Sequence, residues 1–235
     1  MVQGSEIPDL FRPLLPAWVQ VAQSDPAMAD VAALPDDEKL AVVQAVAGRQ
    51  REFAAGRSLA RTLAARFGRH GPLLREPDGR PAWPAGLVGS ITHCATLAAV
   101  ALARTDDCAG IGIDVEHDQP LPPGVAPRLL NEPERRWIAG SDAPDAAQAM
   151  LRLFCAKEAL YKAIQPLARR ALSLQAFTIE ASGDGDGFVA RLGLDAPPFG
   201  RNTRLRGRWT AAGGYVAAAV IIDPVKGPAS RLASR

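Results

Sequence analysis

Residues 36–67 carry apolar positions at helical spacing, with Leu40, Val43 and Ala47 followed by Leu59, Leu63 and Phe67. That spacing predicts two helices, or one helix broken at Gly48 or Gly56. Glycine and proline then dominate residues 68–86 and mark a long loop. Residues 87–91 and 96–102 are rich in strand formers, and the alternation of Ile111, Ile113 and Val115 within 110–116 predicts a further strand. Helical spacing returns over 129–138 and 146–164, on either side of polar turns. Residues 174–179, 188–192, 205–210 and 215–222 read as antiparallel strands joined by turns such as Asp184-Gly185-Asp186-Gly187. The first 35 residues, rich in proline, read as an irregular lead-in with short helical pieces. A helix followed by strands thus occurs twice, an α+β pattern that suits two similar halves, divided here as residues 1–110 and 111–235.

Length and composition narrow the class without choosing a function. The chain has 235 residues, 48% hydrophobic and 22% charged, so it can bury a core and is not a disordered or fibrous sequence. No apolar run reaches the roughly 18 to 20 residues of a membrane span, and the N-terminus lacks the basic and apolar regions of a signal peptide. A cytoplasmic protein without a membrane is expected. Cys94, Cys108 and Cys155 are too few and too widely spaced for a disulfide framework or a zinc site, and Cys94 and Cys155 read as small buried hydrophobes.

The net charge of +2 conceals an alternation of sign. Residues 49–80 hold eight arginines against three acidic residues; residues 106–145 hold nine acidic residues against three arginines; residues 201–235 are basic again. Such segregation suits an anionic ligand in one place and a cation or basic partner in another, and equally suits two solvated faces that balance. Few aromatic residues interleave the basic segments, so no nucleic-acid partner is expected. Only four of the 27 basic residues are lysine, namely Lys39, Lys157, Lys162 and Lys226.

Gly112-Ile113-Asp114-Val115-Glu116 puts two carboxylates on one face of a strand and two apolar side chains on the other. A hard divalent cation relieves the repulsion between such acids, as solvent does on an exposed edge. In Phe154-Cys155-Ala156-Lys157-Glu158-Ala159-Leu160-Tyr161-Lys162, Glu158 extends the apolar stripe of Leu151, Phe154 and Cys155. A carboxylate placed there needs a partner: Lys162 one turn on, or a cation shared with the strand acids. Two of the four lysines fall within this helix. Gly89-Ser90-Ile91-Thr92-His93-Cys94 ends a short strand on hydroxyls and an imidazole suited to phosphate contact, though a lone histidine is also common as a structural group.

Together, GIDVE, FCAKEALYK about 40 residues later, and GSITHC with the preceding GRPAWP resemble the 4′-phosphopantetheinyl transferases of the surfactin-synthetase-activating type, most of all the enterobactin-synthetase-component branch. The resemblance spans residues 49–166. It implies a monomer of two similar α/β halves related by a pseudo-two-fold, with the active site in the cleft between them. It further implies transfer of 4′-phosphopantetheine from coenzyme A to a serine of an apo acyl or peptidyl carrier protein, with release of 3′,5′-ADP. Siderophore, polyketide, nonribosomal-peptide and fatty-acid carriers are all open as partners. The implied metal is Mg²⁺, with Mn²⁺ as an alternative, held by Asp114, Glu116 and Glu158. Implied coenzyme A contacts are Arg49, Arg57, Arg75 or Arg80, Thr92, His93, Lys157 and Lys162, with Thr92 and His93 at the 3′-phosphate. Glu158, Asp114 and Lys157 are the expected catalytic groups, Glu158 acting as base directly or through a metal-bound water. The sequence departs from the family at Phe154, usually tryptophan, at Cys155, usually serine or threonine, and at Arg80, often lysine. Residues 130–137, with Arg128, Arg135 and Arg136, are the expected carrier surface. A non-catalytic coenzyme A or carrier-binding module and another Mg²⁺-dependent phosphotransferase are the competing readings.

Overall fold

The computed structural model describes residues 7–140, 143–168, 170–182 and 185–224. Its strands form two antiparallel sheets. The first has the order β1-β3-β2, from β1 (Gln20–Ser24), β2 (Leu87–Cys94) and β3 (Leu97–Arg104). The second has the order β4-β8-β7-β6-β5, from β4 (Gly110–His117), β5 (Phe177–Ala181), β6 (Gly187–Leu192), β7 (Arg204–Ala212) and β8 (Tyr215–Ile222). Helices α1 (Asp36–Leu40) and α2 (Ala47–Ala65) precede β2, and α3 (Ala126–Leu129), α4 (Glu132–Ala139) and α5 (Ala143–Ile164) lie between β4 and β5. The architecture is α+β, with one long helix packed on each sheet. Among the described residues no helix is long and apolar enough to cross a membrane.

Three apolar clusters stack the layers. Leu63 and Ala60 of α2 meet Val100 and Leu102 of β3. Ala99 and Ala101 of β3 share a core with Ile111, Ile113 and Val115 of β4 and with Phe11 from the lead-in. Leu160 and Ala159 of α5 pack with Val216, Ala218 and Val220 of β8 and with Trp209. The alternation of Ile111, Ile113 and Val115 therefore faces the core between the sheets, as its period of two requires.

Two expectations are corrected. The lead-in is not only irregular: Gln20–Ser24 forms β1, an edge strand pairing Gln20 with Leu102 and Ser24 with Ala98. Its two glutamines and serine give no alternation, so only the ladder offered by β3 makes it a strand. The helical region is two helices, as the first of its alternatives has it, and breaks at neither glycine. It divides between Leu40 and Ala47, and α2 runs through Gly56, where a Cβ would stand 2.8 Å from Ile91 Cγ2. Gly56 is there for close approach to β2.

Gly112 does the same for α5. A Cβ at Gly112 would fall 1.8 Å from the Ala159 carbonyl oxygen, so only glycine lets α5 sit directly on β4. Gly112→Ala is expected to push the helix outward at a cost of about 3 kcal/mol. Thermal unfolding checks this, with a fall in midpoint of roughly 6 to 12 °C. Because Glu158 precedes Ala159, the same displacement moves the helix carboxylate from Asp114.

Candidate active site

At the seam between the sheets, β2 serves β4 through side chains. The Ile113 amide donates to Ser90 Oγ at 3.1 Å and the Val115 amide to Thr92 Oγ1 at 3.2 Å. Successive residues of a strand point to opposite faces, so β2 sends Ser90 and Thr92 toward β4 and sends Ile91 and His93 toward α2. The neighbours Thr92 and His93 therefore belong to different places.

On the β4 side, Thr92 Oγ1 donates to Asp114 Oδ1 at 3.1 Å, and Lys162 Nζ donates to the same oxygen at 2.7 Å and to the Ile113 carbonyl at 3.1 Å. Asp114 is 5% exposed, and its Oδ2 is buried with no hydrogen-bond partner. Glu116 and Glu158 stand close enough that burial first, then the Asp114 charge, raises both carboxyls, with Lys162 opposing; Glu116 is pushed up to about 7. Lys162 therefore serves Asp114 instead of forming the helix pair with Glu158. His117 turns aside, stacking on Tyr215 with ring centroids 5.2 Å apart.

The acids fit a divalent cation in two respects. Their donors are hard oxygens, and a buried carboxylate oxygen without a partner is an expensive feature that a cation would satisfy. Among the described residues no group of three or more acidic, histidine or cysteine side chains stands close enough together to hold a metal ion by itself. An ion held by these acids would need further oxygens from water or a substrate.

The raised carboxyl of Glu116 has a consequence for stability. Its ordinary value is 4.5, so between about 4.5 and 7 the folded protein holds a proton that the unfolded chain has released. Metal-free protein should lose stability as pH rises through that window. Differential scanning fluorimetry across it should show a falling midpoint, and Glu116→Gln should flatten the fall.

On the α2 side, Arg49, Arg57, Arg75 and His93 line a pocket of about 170 Å³. Arg49 contacts the His93 ring, Arg57 lies over the Phe53 ring at 4.9 Å and donates to the Leu74 carbonyl, and Arg75 donates to the Gly79 carbonyl. Arg57 is 4% exposed; burial lowers its guanidinium to about 10, and nearby Arg75, Arg61 and Arg49 add to the fall against Glu38. It stays charged near neutrality. Burial and Arg49 hold the His93 imidazole down at about 4, so it is neutral in the ligand-free pocket. Glu52, which the sequence reading did not single out, also lines this pocket. Its position three residues after Arg49 and five before Arg57 was the available signal.

A larger cavity of about 360 Å³ lies between the two sheets, lined by Arg80, Trp83, Ser90, Tyr161, Lys162 and Gln165 among others. It shares Pro81 and Ile91 with the arginine pocket. Arg80 faces this cavity and pairs with Asp78 at 2.6 Å, so of the two loop arginines it is Arg75 that joins Arg49 and Arg57.

Two expected contacts lie elsewhere. Thr92 is turned from the arginine pocket by the strand period and is committed to Asp114 and the Val115 amide. Lys157 is wholly buried, donating to Glu134 Oε2 at 2.5 Å and to the Leu129 carbonyl at 2.7 Å. One residue of helix turns a side chain by about 100°, which carries Lys157 toward α3 and α4 while Glu158 faces β4. The three cysteines are buried thiols. Of the expected carrier surface, Arg136 pairs with Glu132, Arg135 donates to the Leu130 carbonyl, and Trp137 is half-exposed. Arg204, Arg206 and Arg208 of the basic tail alternate outward along β7; Lys226, Arg231 and Arg235 lie outside the described residues.

An arginine pocket and a carboxylate cluster thus lie on opposite faces of one strand, and a cavity between the two sheets, lined by Lys162, adjoins the arginine pocket; such a pairing suits an enzyme that acts on an anionic substrate. Comparison with known proteins gives the family. The 4′-phosphopantetheinyl transferase N-terminal domain matches residues 37–103, and the 4′-phosphopantetheinyl transferase superfamily matches residues 110–220. The chain is 38% identical to 4′-phosphopantetheinyl transferase Svp of Streptomyces mobaraensis, over 95% of this chain and 94% of that one. It is 36% identical to 4′-phosphopantetheinyl transferase PptT of Mycobacterium tuberculosis, over 80% and 86% of the two chains. Enterobactin synthase component D of Salmonella typhimurium matches at 40% identity over 36% of this chain and 35% of that one. This chain belongs to the 4′-phosphopantetheinyl transferase superfamily, and it transfers phosphopantetheine to carrier proteins.

Proposed function

We propose that coenzyme A is the donor and that it lies across the seam, with its 3′-phosphate among Arg49, Arg57, Arg75 and His93 and its pyrophosphate beside Lys162. The observation that carries this reading is the placement of His93 and Asp114 on opposite sides of β2, which sets an anion pocket and an acidic cluster one strand apart. Forked guanidinium donors suit a terminal phosphate, and three of them supply it. Asp114, Glu116 and Glu158 are the residues that would hold a divalent cation, Mg²⁺ by their oxygen chemistry. When bound, that ion supplies neutralisation of the charge that grows on the leaving 3′,5′-ADP.

The chain's own groups perform the remaining tasks. Lys162, fixed by Asp114 and the Ile113 carbonyl, presents a cation at the mouth of the cavity between the sheets. Glu158 takes the proton of the attacking carrier serine, directly or through a water; burial and Asp114 raise its carboxyl above its ordinary range in the metal-free protein, a shift that a bound cation would oppose. Phe154, one turn before Glu158, lies beside exposed Arg128 at the rim of a surface hollow, which offers an acidic carrier a basic and apolar footing near that base. Lys157 has no part in the chemistry, and Thr92 orients Asp114 while it holds the Val115 amide.

Incubation with an apo carrier protein, coenzyme A and Mg²⁺ should add one phosphopantetheine mass to the carrier's serine. Intact-protein mass spectrometry reads this. A carrier that gains no mass while coenzyme A still binds would favour a non-catalytic binding module, and consumption of coenzyme A without a carrier would favour a different phosphotransferase.

A further inference from the structure

Among the described residues, Glu52 is the single acidic side chain lining the arginine pocket. Its Oε2 lies 3.3 Å from Arg49 Nη1 and 3.3 Å from His93 Nδ1, so one carboxylate oxygen meets both groups at that end of the pocket. The remaining two arginines meet no carboxylate there: Arg57 donates to the Leu74 carbonyl and Arg75 to the Gly79 carbonyl. With His93 neutral, three guanidiniums against one carboxylate leave two positive charges. That matches a phosphomonoester, which carries about −1.5 to −2 near neutrality. Without Glu52 the pocket would be over-charged for such a group.

From this we propose that Glu52 is the built-in competitor of the phosphate pocket. In the empty site it holds Arg49 and His93 in place, as an anion would. When a phosphomonoester enters, Glu52 must yield those donors and remain beside a like charge. It thereby sets how tightly the enzyme retains every ligand that ends in this phosphate, the donor and the 3′,5′-ADP product alike. Such a residue favours product release over maximal donor affinity. The inference rests on the reading that this pocket takes the 3′-phosphate of coenzyme A.

Dephospho-coenzyme A, which lacks that phosphate, separates the possibilities. Isothermal titration would compare coenzyme A, dephospho-coenzyme A and 3′,5′-ADP on the full chain, wild type and Glu52→Gln. Glu52→Gln is expected to bind coenzyme A and 3′,5′-ADP about tenfold more tightly, the scale of one charge pair screened largely by solvent. Dephospho-coenzyme A should change by less than about twofold, and 3′,5′-ADP should become a stronger product inhibitor by the same tenfold. Glu52→Asp, which keeps the charge, should stay near wild type. Glu52→Ser offers a second neutral variant should the glutamine fold poorly.

The inference is overturned if neutral variants bind coenzyme A no more tightly than wild type while wild type still prefers it to dephospho-coenzyme A. It is equally overturned if they tighten both ligands alike, since the effect would then not pass through the phosphate. Wild type that fails to distinguish the two ligands would instead remove the 3′-phosphate from this pocket, and the role of Glu52 with it.

Discussion

Asp114→Asn is expected to lower the rate of carrier modification by about a hundredfold or more, the scale seen when one preorganised stabiliser of transition-state charge is lost, here because Asp114 fixes Lys162 and would help to hold the cation. The substitution keeps the shape of the side chain and leaves Thr92 and the Ile113 carbonyl in place. It removes the negative charge that pairs with Lys162 at 2.7 Å, and it replaces one of the two carboxylate oxygens, Oδ1 paired with Lys162 or the buried Oδ2, with an amide nitrogen. Circular dichroism should report an unchanged fold while mass spectrometry reports the loss of product. A second readout follows from the same charge. Asp114 helps to raise the carboxyls of Glu116 and Glu158, so in Asp114→Asn both should release their protons at lower pH. A variant with wild-type turnover would remove Asp114 from the reaction centre.

Lys157→Ala is expected to act on stability. The ammonium is fully buried, and burial pulls it below its ordinary range while Glu134 opposes the fall. Glu134 is itself buried and takes the amides of Asn131 and Ile179, so the pair ties α4, α5 and β5 at one point. Removing the lysine leaves an uncompensated buried carboxylate, at a cost of about 3 to 5 kcal/mol. For a chain of this length that corresponds to a fall in melting temperature of roughly 10 °C. Removing both charges in Glu134→Gln/Lys157→Met should recover about 2 kcal/mol of the loss, since a buried pair is often replaceable where half of one is not. At a temperature where the double variant is folded, its kcat should lie within about threefold of wild type. A loss of kcat as deep as that of Asp114→Asn would return Lys157 to the chemistry.

These two residues show where sequence reading reaches its limit. Asp114 was legible because a strand has a period of two, which places its carboxylate beside that of Glu116 whatever the rest of the chain does. Lys157 was not legible as a clamp. Its position next to Glu158 suggested a shared task, but a helix rotates adjacent side chains apart, and the acceptor that claims Lys157 is 23 residues away on α4. Thr92 and His93 failed as a pair for the parallel reason on a strand, where neighbours face opposite ways.

Most strands and helices from residue 36 onward, the acidic strand, the lysine-bearing helix and the chemistry they suit follow from the sequence, because period and residue type are local properties; the break between Leu40 and Ala47 and the division of 129–138 between α3 and α4 do not. The edge strand at Gln20–Ser24 needed a ladder supplied by β3, and no local pattern announces a borrowed partner. Tertiary structure alone decided which arginine joins the anion pocket, that Glu52 stands within it, and that Lys162 answers Asp114 instead of Glu158. Each of those outcomes depends on which face of one element meets which face of another. That meeting is set by the glycine contacts of α2 on β2 and α5 on β4, across more than 30 residues of intervening chain.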